Sequence, residues 1–169
     1  MNPERVPAQS PDPTLRHVLR QVNRAFQAKL SGRLAEYGIT EAEYVSLFAL
    51  RRIPNMSNAD LSRWTGVAAQ NTNQVLKSLI SSGFVERHRS PDHGRILEAS
   101  LTERGEEVIA ACEEAANALE AKMCSKLQPQ EAGVLDDLLR RCAEGLGVPI
   151  SDSRIPPARL ARRGPVPPT

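Results

Sequence analysis

Aromatic residues are scarce in this chain: three Phe, two Tyr and one Trp make up 4% of its 169 residues. β-Sandwich cores draw heavily on aromatic and β-branched side chains. A core here must be assembled mostly from Leu, Val, Ile and Ala, which favours helices packed on helices. Cysteine is scarce as well. Cys112, Cys124 and Cys142 are odd in number and lack CxxC spacing. That argues against a disulfide framework or a structural zinc site, and a reducing cytoplasm is the simplest reading. No apolar run reaches the ~18 residues that span a bilayer. The polar, Pro-rich stretch 1–13 lacks the apolar centre of a signal peptide. Charge of one sign is not in excess either, since the net charge is +2.

The distribution of charge says more than its sum. Arg87, His88, Arg89, His93 and Arg95 make one region basic, whereas Glu106, Glu107, Glu113, Glu114, Glu120, Asp136 and Asp137 make the region from Glu103 to Glu144 acidic. One pole of the molecule is thus suited to phosphate and the other is not.

The chain divides into a flexible arm over 1–13, a folded domain over 14–146 and a disordered Pro-rich tail over 147–169. Leu15, Val18, Leu19, Val22, Phe26, Leu30 and Leu34 recur at three- and four-residue steps and predict an amphipathic helix ending near Gly38. Thr40 and Glu43 form a capping box for the next helix, with Ile39 and Tyr44 placed as a hydrophobic staple. Ser57 and Asp60 repeat the pattern for a short helix to Thr65, stopped by Gly66. A further helix spans about Ala68 to Ser82, with Thr72, Val75, Leu76, Leu79 and Ile80 facing inward. Two strands follow, Phe84 to His88 and Ile96 to Leu101, around a Ser90-Pro91-Asp92-His93-Gly94 turn. A long Ala- and Glu-rich helix from Thr102 to about Leu127 and a last helix behind Pro129 complete the domain. The fold class is mainly α with a small β-hairpin.

Short helix, tight turn, amphipathic helix and basic hairpin, in that order over Ser57 to Leu101, describe a winged helix-turn-helix. The second helix of such a unit enters the major groove, so it needs one face for the core and one for the base edges. The polar face here is Gln70, Asn71, Asn73, Gln74 and Lys77. Asn and Gln can pair bidentately with adenine, and Lys can reach guanine or phosphate. The same amides also fit an ordinary solvated helix face. The hairpin favours the first reading, because Arg87, Arg89 and Arg95 form a wing that can straddle the phosphate backbone or enter a narrow minor groove. Asp92 fits there either as a partner that orients Arg95 or simply as a turn former.

These residues resemble the MarR (multiple antibiotic resistance regulator) family. The resemblance lies in Ser57-Asn58-Ala59-Asp60-Leu61-Ser62 to Gly66-Val67, in Val75-Leu76 to Leu79 and in Gly83-Phe84-Val85-Glu86-Arg87. Most of all it lies in Asp92-His93-Gly94-Arg95 followed by Leu101-Thr102-Glu103-Arg104-Gly105, and it covers about 14–146. It implies a homodimeric transcription regulator, a repressor relieved by a small ligand, whose two winged lobes (about 40–102) read palindromic double-stranded DNA. Helices 14–37 and 102–146 would form the dimer interface. Two positions depart from the family pattern: Ala68 stands where Ser or Thr usually caps the recognition helix, and polar Thr72 occupies a commonly apolar position.

The family also binds small aromatic or phenolic anions near the dimer helices. By that resemblance Tyr44 and Phe48, with Arg16 or Arg20, are the candidate effector pocket, although Tyr44 and Phe48 equally fit an ordinary core. His17, His88 and His93 have no metal-ligand spacing, no nucleophile–base arrangement or phosphate loop is present, and neither a catalytic role nor a cofactor is expected. A thiol redox sensor is a weaker alternative, because Cys112 and Cys142 sit at apolar-face positions. A winged-helix protein-interaction module is another, opposed by the amide-rich face of the second helix.

Overall fold

The computed structural model describes residues 13–91 and 94–147, in the order α1 (Pro13–Ala35), α2 (Glu41–Arg52), β1 (Met56–Ser57), α3 (Asn58–Thr65), α4 (Ala69–Ser81), β2 (Val85–Arg89), β3 (Leu97–Leu101), α5 (Glu103–Met123) and α6 (Pro129–Gly145). The Pro-rich arm and tail lie outside the described residues, as do Asp92 and His93.

Local hydrogen bonding sets most helix starts. Thr40 and Glu43 cap α2 reciprocally, and Ser57 and Asp60 do the same for α3. Gly66 then takes φ +71°, a left-handed conformation that ends α3 at little steric cost and turns the chain into α4. Thr102 caps α5 by accepting from the Gly105 N–H at 3.0 Å.

The hairpin runs in the register Val85↔Leu101, Arg87↔Ala99 and Arg89↔Leu97. The structure adds a strand that no local pattern marks. Met56 and Ser57 pair with Ala99 and Glu98, making a three-stranded antiparallel sheet of order β1-β3-β2. The wing is therefore anchored through β3 to the residue that caps α3.

The core is aliphatic, as the shortage of aromatics requires. Leu34, Leu47, Leu50, Leu61, Leu76, Leu79, Ile109 and Cys112 are fully buried, joining α1, α2, α3, α4 and α5. The α6 helix is the exception, because none of its residues is buried. Its Val134, Leu135, Leu138 and Leu139 stand exposed, as do Leu15, Val18, Leu19 and Val22 near the start of α1. No helix among the described residues is long and apolar enough to cross a membrane.

Candidate nucleic-acid interface

The α4 helix has two faces. Thr72, Leu76 and Leu79 are buried and hold it to the lobe. Gln70, Asn71, Gln74 and Lys77 are exposed, and Asn73 is half-buried. The helix lacks a capping side chain at Ala68. Other bonds steady this end instead: Ser62 Oγ donates to the Val67 carbonyl at 2.6 Å, and Asn58 Nδ2 to the Ala69 carbonyl at 3.1 Å. The polar Thr72 is only 2% exposed, and its hydroxyl donates to the Ala68 carbonyl at 3.2 Å. A threonine can thus occupy an inward position because its one donor is satisfied within the helix.

A second polar connection holds α4 from behind. Glu43 on α2 is 8% exposed, and its carboxylate accepts from Ser78 Oγ at 2.6 Å while also taking the Thr40 N–H and hydroxyl at 2.9 Å each. The capping box was legible in the sequence, but Ser78 lies 35 residues away and no local signal linked the two. Burial pushes the Glu43 carboxyl up, the hydrogen bonds from Ser78 and Thr40 more than offset this, and the net result lies below its ordinary value.

The wing arginines divide by location. Arg89 and Arg95 are exposed, Arg89 at the end of β2 and Arg95 in the turn before β3. Arg87 is half-buried, and its Nη2 donates to Asn73 Oδ1 on α4 at 3.3 Å. His88 faces Glu98 across the hairpin at 3.8 Å.

Of the candidate effector residues, Tyr44 and Phe48 come together with ring centroids 6.2 Å apart, and Trp64 of α3 adds a third ring 6.0 Å from Phe48. The cation on this cluster is Arg52, whose guanidinium lies 4.7 Å from the Phe48 centroid. Sequence spacing did not single out Trp64 or Arg52. Burial, followed by the neighbouring Glu113 carboxylate, pushes the Tyr44 phenol up. Arg16 and Arg20 stand exposed on α1, Arg20 lining a shallow cavity with His17, Gln21, Arg24, Ala25 and Ala28, all of that one helix.

Cys112 is fully buried, and burial pushes its thiol up, away from the thiolate form that oxidants attack. Cys124 is half-buried. Cys142 departs from its expected inward position and is exposed, because nothing among the described residues packs over the α6 face it occupies. Among the described residues no group of His, Cys, Asp and Glu could hold a metal ion.

Comparison with known proteins agrees with this architecture. Residues 37–96 match the MarR family. A helix-turn-helix transcriptional repressor of Mycobacterium tuberculosis is 34% identical over 121 residues, covering 71% of this chain and 87% of that protein. A crystal structure of a probable transcriptional regulator from Pseudomonas aeruginosa is 27% identical, covers 78% of this chain and 98% of its own, and superposes with a TM-score of 0.68. Escherichia coli MarR, crystallised as a cysteine-to-serine variant with operator DNA, shares the fold at 24% identity and a TM-score of 0.68, over 76% of this chain and 93% of that one. The identity to the mycobacterial repressor, over most of that protein's length, together with the helix order and the wing, establishes that this chain belongs to the MarR family, a winged helix-turn-helix regulator of transcription and not an enzyme.

Proposed function

We propose that the protein is a homodimeric repressor that binds a palindromic double-stranded operator in the cytoplasm and releases it on binding a small aromatic or phenolic anion. The observation that carries this reading is the exposed face of α4. Gln70, Asn71, Gln74 and Lys77 project from a helix whose opposite face is buried, beside a hairpin that exposes Arg89 and Arg95. Amide and ammonium groups on a rigid helix suit base edges, and guanidinium groups on a hairpin suit phosphate or a narrow minor groove. Arg87, Asp92 and His93 complete the wing in this reading.

Dimerisation is supported by the two apolar stripes. Leu15, Val18, Leu19 and Val22 on α1 and Val134, Leu135, Leu138 and Leu139 on α6 are large, exposed and at helical spacing. Soluble monomers rarely leave so much apolar surface in contiguous patches. A twofold axis through these helices gives two lobes and hence a palindromic site. The effector site of this reading is the Tyr44, Phe48 and Trp64 rings with Arg52, and Arg16 and Arg20 are further cations on α1.

The test is selection from a randomised duplex library by the purified full chain, followed by titration of the enriched duplex with salt and with a series of hydroxybenzoates. The reading predicts an enriched palindrome, binding that weakens steeply with salt, and release by at least one member of the series. A chain that enriches no sequence overturns the DNA-binding reading, and an enriched palindrome indifferent to the whole series overturns the proposed effector class.

A further inference from the structure

Resting on the reading of α4 as the base-contacting helix, we propose that Arg87 is a positioning residue that holds the Asn73 amide so that only its N–H donors reach the major groove. Alternate residues of a strand share one face of the sheet. Arg87 therefore lies on the same side as buried Val85, and its register partner is buried Ala99. A small side chain opposite leaves room for a guanidinium to lie along the sheet and reach α4. Its Nη2 is 3.3 Å from Asn73 Oδ1, and its Nε is shielded from solvent without a partner among the described residues. This arginine is seated against the protein, unlike exposed Arg89 and Arg95.

The chemistry of the contact fixes the amide. A guanidinium carries only donors, so it can meet Asn73 only through Oδ1. The amide is planar, so turning Oδ1 toward Arg87 turns Nδ2 away from it. An asparagine that reads adenine uses both ends, accepting from N6 with its oxygen and donating to N7 with its nitrogen. With Oδ1 held at the wing, Nδ2 is left to meet acceptors: O6 and N7 of guanine or O4 of thymine, whereas adenine offers N7 alone, beside an N6 donor that is then left without its partner. Cytosine presents only its N4 donor there and is excluded. Asn73 is thereby a reader of keto edges, and Arg87 determines which edges it accepts without touching a base.

Selection from a randomised duplex library by the full chain, with circular dichroism to establish folding, tests this. The wild type should prefer guanine or thymine at one position of each half-site, and Asn73→Ala should flatten that preference by about tenfold. Arg87→Ala frees Oδ1, so adenine should rise at that position while the salt dependence stays as in the wild type. Asn73→Asp keeps the acceptor for Arg87 but has no donor, so cytosine should replace guanine and thymine. If Arg87→Ala selects the same bases and its salt dependence becomes shallower by about one unit per protomer, Arg87 is a phosphate contact and the inference is overturned. If Arg87→Ala does not fold, Asn73→Asp decides alone, and unchanged selection overturns the inference. A wild type that enriches a palindrome while the variants select as it does sinks this inference only. A wild type that enriches nothing sinks the DNA-binding reading beneath it as well.

Discussion

The carboxylate of Glu43 on α2 accepts the hydroxyl proton of Ser78 on α4 at 2.6 Å. One oxygen of this side chain closes the capping box of its own helix and the other straps the proposed recognition helix from behind. The bond is charge-assisted, with the carboxylate buried and Ser78 itself at the surface. Because water can replace the exposed hydroxyl, Ser78→Ala should destabilise the fold by about 1 kcal/mol. Urea titration measures this, and a midpoint equal to that of the wild type would show that the strap contributes nothing.

The same carboxyl makes stability depend on pH. Although burial raises its pKa, the hydrogen bonds from Ser78 and Thr40 bring the folded value below the ordinary 4.5, and Asp60 is held below 3.8 by Ser57 and Arg63 in the same way. The unfolded chain thus takes up these protons first as the pH falls. The contribution is complete above the unfolded values and is lost as the pH drops through the folded ones. Urea midpoints measured from neutral pH downward should fall below about pH 5. Glu43→Gln should have a shallower fall, and a slope unchanged in that variant would assign the acid sensitivity elsewhere.

Gly105 is required by its neighbour. A Cβ there would lie 2.0 Å from the Phe84 carbonyl oxygen, the same oxygen that accepts the Thr102 N–H at 3.0 Å. Thr102 Oγ1 also donates to the Gly83 carbonyl at 2.7 Å. The start of α5 is thus bonded closely to the base of the wing. Gly105→Ala should cost about 3 kcal/mol or more, visible as a lowered melting temperature, because backbone rather than a flexible side chain must move. Gly133→Ala, where a Cβ would meet nothing within 4 Å and alanine favours the helix, is the contrast and should not lower the melting temperature.

Arg95 is exposed in the wing turn and takes no part in the core. Arg95→Ala should therefore leave the melting temperature within about 1 °C of wild type. It should weaken operator binding and make the salt slope shallower by about 0.9 for each phosphate that Arg95 neutralises. Fluorescence anisotropy at several salt concentrations checks both, and unchanged affinity would exclude Arg95 from the interface.

The α6 helix has no buried residue within the protomer. A double substitution, Leu135→Glu with Leu138→Glu, should leave the lobe folded and turn the proposed dimer into a monomer by analytical ultracentrifugation. Without the linked second lobe, operator affinity should fall by about a hundredfold or more. A variant that remains dimeric would place the interface elsewhere.

What the sequence determined by itself is what short-range chemistry controls. Thr40 with Glu43, Ser57 with Asp60, and Gly66 fix helix limits through hydrogen bonds and backbone angles within a few residues, and apolar spacing assigned the faces of α4. The motif over Ser57 to Gly105 was legible for the same reason. Tertiary structure alone decided what distant residues do to one another. Two residues, Met56 and Ser57, became a strand only because β3 was there to pair with. Cys142 is exposed because no element among the described residues covers α6. Asn73 and Arg87 were each readable as residues facing DNA, but their contact across 14 residues forms only once the sheet has packed on α4. Local pattern fixes which groups a helix offers, and packing fixes which of those groups remain free to bind.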